Sequence, residues 1–63
     1  MEMKPMNKYE FLSRLRNALS ALPNEERDAA MSYYEEFFSD AGEDNEQAVI
    51  ASLGTPEELA RSI

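Results

Sequence analysis

The chain predicts an all-α fold: a compact bundle of three helices plus a short fourth helix at the C-terminal end. Three observations lead there. Helix punctuation recurs along the sequence, with glycine where a helix would stop (Gly42, Gly54), proline where one would start (Pro23, Pro56), and a capping residue followed three positions later by Glu or Gln. Apolar residues return at spacings of three and four, the period of a helix face. The segments between breakers are short, and helices of that length are not stable alone in water, so they must pack on one another.

Residues 1–5 are expected to form a disordered leader, Pro5 breaking any earlier helix, and residues 6–63 a single helical domain. Asn7 caps the first helix, with Glu10 three residues on. Met6 before the cap and Phe11 at the fourth helical position are placed to close a hydrophobic staple. The helix is expected to run to about Ala21, with Phe11, Leu12, Leu15, Ala18, Leu19 and Leu22 on one side and Arg14, Asn17 and Ala21 on the other.

Pro23 and Asn24 end that helix and launch the second, whose first turn holds Glu25, Glu26 and Asp28, where the helix dipole favours negative charge. It is expected to end near Ala41, with Gly42 as a left-handed cap. Its wheel carries Tyr33, Phe37, Ala30, Ala41, Tyr34, Phe38 and Met31 over roughly half the circumference, wider than the ~100° stripe one core contact needs. Tyr33 and Phe37 are read as core bulk. The surplus is assigned to Phe38 with Met31 and a tyrosine edge. Asp44 is expected to cap a third helix carrying Val49, Ile50 and Leu53, ended by Gly54. Thr55, Pro56, Glu57 and Glu58 open the fourth, with Leu59, Ala60 and Ile63 as its apolar side. No closing residue follows Ile63, which reads as a piece of a longer chain.

Sixty-three residues suit one small, marginally stable domain. With no histidine and no cysteine, disulfides, soft-metal sites and the usual neutral-pH proton shuttle are absent. The carboxylate pairs Glu25/Glu26, Glu35/Glu36 and Glu57/Glu58 are sequence neighbours and point in different directions around a helix, whereas acid–base catalysis needs them to converge. No enzyme, cofactor or metal is expected. A calcium loop starting at Asp40 fails on its details, with Asn45 where a glycine is needed and Ala51 where the bidentate glutamate is needed.

Charge is unevenly spread within a net of −7: up to Leu22 four basic residues face two acids, and from Pro23 onward Arg27 and Arg61 face eleven. Such a surface repels phosphate backbones and anionic headgroups and suits a basic protein partner. The stretch from Gln47 to Ile63 has the spacing of a DNA-reading helix-turn-helix, but its leading end presents Glu57 and Glu58. DNA binding is therefore the lesser alternative, alongside a self-associating structural module.

An ordered series, Leu22, Pro23, Glu26 and Arg27, then Tyr33, Tyr34, Glu36, Phe38, Asp40 and Ala41, then Val49, Ile50, Leu53, Gly54, Pro56, Leu59, Ala60 and Ile63, resembles the HAAS domain, the helix-turn-helix-associated alpha-helical signalling domain of bacteria. The resemblance spans residues 6–63. It implies a non-enzymatic signalling or adaptor domain, the cytosolic N-terminal part of an integral membrane protein, tethered to the inner face of the membrane through a downstream segment and partnered by a PadR-like transcription regulator. Met31, Tyr34, Glu35, Phe38 and Asp40 are the expected partner-binding residues.

Overall fold

The computed structural model describes residues 6–63. Four α-helices follow in order: α1 (Lys8–Ala18), α2 (Asn24–Ala41), α3 (Glu46–Leu53) and α4 (Pro56–Ser62), with a 3-10 turn at Glu43–Asn45 before α3. This is the expected all-α bundle.

Asn7 caps α1, its Oδ1 accepting from the Glu10 N–H at 2.8 Å. The helix closes three residues earlier than its apolar stripe suggests. Pro23 disfavours helical geometry at Leu22, and residues 19–21 wind down through tight bonds such as Leu22 N–H to the Leu19 carbonyl at 3.0 Å. In α2, Pro23 occupies the cap position without a side-chain bond. The helix ends at Gly42, whose N–H donates to the Phe38 carbonyl at 3.0 Å.

Gly42 (φ 84°, ψ 163°) and Gly54 (φ 80°, ψ −150°) both terminate helices. Both adopt an extended positive-φ conformation, which for Gly42 replaces the left-handed helical one expected; this region is essentially reserved for glycine.

Asp44 does not cap α3. It sits inside the 3-10 turn, where the Asn45 N–H bonds the Gly42 carbonyl at 3.1 Å, and α3 starts two residues later. The chain leaves Gly42 already coiling, so no extended cap residue intervenes. Asn45 turns backward, donating from Nδ2 to the Ala41 carbonyl at 2.8 Å and satisfying the end of α2. Gln47, expected to complete the Asp44 box, instead donates to the Met6 carbonyl at 2.8 Å and ties α3 to the start of the domain. The Thr55 cap forms as expected: Oγ1 accepts from the Glu58 N–H at 3.1 Å and donates to the Glu58 carboxylate at 3.0 Å.

The core is Phe11, Leu15 and Leu19 of the α1 side, Phe38 of α2 and Val49 of α3, joined by fully buried Pro56. The main contact of α4 is with α1, reached across the Gly54 corner. The described chain measures 36 × 28 × 17 Å.

Candidate docking surfaces

On α2 the structure reverses the expected roles of three rings. Phe38, expected at the surface, is 3% exposed and packs edge-on against Phe11 with ring centroids 5.5 Å apart. Tyr33 and Phe37, expected in the core, are 60% and 39% exposed. The cause is the direction from which α1 approaches. Phe11 of α1 meets Phe38, and the arc holding Phe38, Tyr34, Ala30 and Ala41 packs on the core, while the arc's other margin, Phe37 and Tyr33, stays outside.

The five expected partner-binding residues do not share one face. Phe38 lies in the core and Tyr34 is half-buried against it. Met31 and Glu35 line a groove of about 420 Å³ between α1 and α2, together with Leu12 at its base and Lys8, Tyr9 and Arg16 along its α1 wall. Asp40 lies round on the opposite margin, sharing a shallow hollow of about 310 Å³ with Phe37 and Ala41.

The groove carries both signs of charge, Lys8 and Arg16 on one side, Glu35 on the other, with Asp28 beside the adjoining hollow. The opposite margin does not. Tyr33 is held by an edge-to-face contact with Tyr34 (4.9 Å) and by Phe37 (6.5 Å), so the exposed rings are braced against one another. The surplus apolar surface lies on the expected helix, α2, but on its other side. A wheel gives the width of an apolar arc; which part is covered depends on the helix that packs there.

Elsewhere, Arg14 and Glu57 form a two-pronged pair joining α1 to α4, with Nε to Oε2 at 3.1 Å and the second N–H to Oε1 at 2.6 Å. The hydrogen bonds to Arg14 hold the Glu57 carboxyl below its usual range, and the same bonds raise Arg14. Arg27 turns its guanidinium to Asn24 Oδ1 at 2.9 Å in the first turn of α2. Among the described residues no three acidic side chains gather in a way that could hold a metal ion, and no helix is long and apolar enough to cross a membrane.

Residues 10–62 match the family model HAAS. The chain belongs to the HAAS family. This is a family of small, non-catalytic signalling or adaptor-type domains, and the match takes in α1 from Glu10 onward and the whole of α2, α3 and α4. No curated protein and no solved structure matches the chain.

Proposed function

We propose that this HAAS domain is a non-enzymatic adaptor that binds a basic protein partner, a PadR-like transcription regulator, and that it does so as the cytosolic part of a membrane-anchored protein. The coupling is a binding free energy between two proteins, with no bond made or broken. Family membership supports the adaptor class. The observation that carries the reading is the exposure of Tyr33 and Phe37 side by side on the acidic helix. Large exposed rings among charged neighbours are the composition of an interface anchor.

Titrating the domain into a PadR-like regulator encoded beside it tests the reading. Expected is saturable binding that weakens as salt rises, because opposite charges attract across the interface. No binding at low salt, or salt-dependent binding of the isolated domain to duplex DNA, would contradict it. The leading end of α4 argues for the first outcome: it presents Glu57 and Glu58, and Glu57 already engages Arg14.

A further inference from the structure

Resting on the adaptor reading, we propose that the acid-flanked aromatic face of Tyr33 and Phe37 on α2 seats a cationic amphipathic helix of the partner protein.

Tyr33 and Phe37 are four residues apart, hence one above the other on the helix. Their rings are exposed yet mutually braced, so little side-chain freedom is lost when a partner covers them. A shallow hollow of about 310 Å³ at Phe37, Asp40 and Ala41 adjoins the rings and adds apolar surface that a partner side chain can cover. At 100° per residue, Glu26 and Asp40 lie within about 20° of Tyr33 round the helix axis, and Glu36 within about 60°. All three are exposed. None pairs with a basic side chain among the described residues, where the ion pairs are Arg14 with Glu57 and Arg27 with Asp28.

That charge pattern selects the occupant. A second copy of this face would set acids against acids, and an anionic lipid surface would be repelled in the same way. A helix with aliphatic residues along one stripe, bordered by Arg or Lys, satisfies both features: its apolar stripe covers the rings, its cations meet Glu26, Glu36 and Asp40, and an arginine can stack on Tyr33. The α1–α2 groove offers no comparable selection, since Lys8 and Arg16 face Glu35 within it.

The test uses a synthetic helix with leucines at i, i+4 bordered by arginines, against a scrambled peptide of the same composition, each titrated into the 15N-labelled domain. Expected are shift changes centred on Tyr33 and Phe37, with the scrambled peptide binding several-fold more weakly. The Tyr33→Gln/Phe37→Gln variant should lose about tenfold or more in affinity, equivalent to about 1.4 kcal/mol, with its helical circular dichroism unchanged. The charge variant Glu36→Lys/Asp40→Lys, altered only at exposed positions, should lose a similar factor.

Binding of both variants within about twofold of the parent, or shift changes confined to the α1–α2 groove, overturns the assignment of the face and leaves the adaptor reading standing. Binding of the intact regulator but not of the peptide overturns the helix as occupant. Binding of neither overturns the adaptor reading as well. A dimer in sedimentation that dissociates in the Tyr33→Gln/Phe37→Gln variant overturns the proposal in favour of a second copy.

Discussion

Phe37 and Phe38 are neighbours in sequence and opposites in environment, and substitution should separate them. Truncating a buried phenylalanine costs about 3–5 kcal/mol, comparable with the whole stability of a small domain. Phe38→Ala, which leaves a hole facing Phe11, should therefore be largely unfolded by far-ultraviolet circular dichroism. Phe37→Ala should remain folded and lose about 1 kcal/mol or less in urea titration. Equal losses would refute the packing assigned to α2. That both rings belonged to an apolar arc was readable from spacing. Which of them α1 covers was not, because that depends on the angle between two helices. Pro56 shows the same limit: its role as a first-turn proline is local and legible, while its complete burial depends on α4 folding back over α1.

Among the elements, α3 and α4 begin differently, and cap substitutions should reveal it. Thr55→Ala removes the hydroxyl bonded to the Glu58 N–H and should cost about 1 kcal/mol. Asp44→Ala removes no cap bond and should fall within about 0.5 kcal/mol of the parent. The Thr55 cap was legible because an extended Thr before Pro56 has a single geometry open to it. The start of α3 was not, because Asp44 and Asn45 are equally good capping types and the choice was made by the 3-10 turn leaving Gly42.

The Arg14–Glu57 pair fastens α1 to α4 and gives a pH signature. Glu57 is held below its usual pKa, so its contribution to stability is fully present above the ordinary glutamate range and fades as pH falls through the depressed folded value. Thermal melts from pH 6 toward pH 3 should therefore show a fall in Tm that is shallower in Glu57→Gln. High salt should blunt the difference, since both side chains are about half exposed. An identical acid limb in the two proteins would remove the pair from the account.

For the molecule as a whole, the shape explains why a domain this small retains an apolar outer face. Its radius of gyration of 11.8 Å exceeds the roughly 10 Å expected of a compact chain of this length. α1 is the hub of the bundle, contacted by all three other helices. With α1 occupied on several sides, α2, the longest helix, cannot be covered along its whole girth. Tyr33 and Phe37 are what remains outside. The all-α class, the four helices and the acidic bias of the second half all follow from local sequence signals. The identity of the outward face follows from tertiary packing alone.

The most direct measurement is hydroxyl-radical footprinting of the domain free and in the presence of the proposed PadR-like regulator, read at three exposed rings. Tyr33 and Phe37 report on the acidic face, and Tyr9, 75% exposed at the rim of the α1–α2 groove, reports on the rival surface. Tyr33 and Phe37 should become shielded while Tyr9 reacts as before. Shielding of Tyr9, with Tyr33 and Phe37 still reactive, would contradict it.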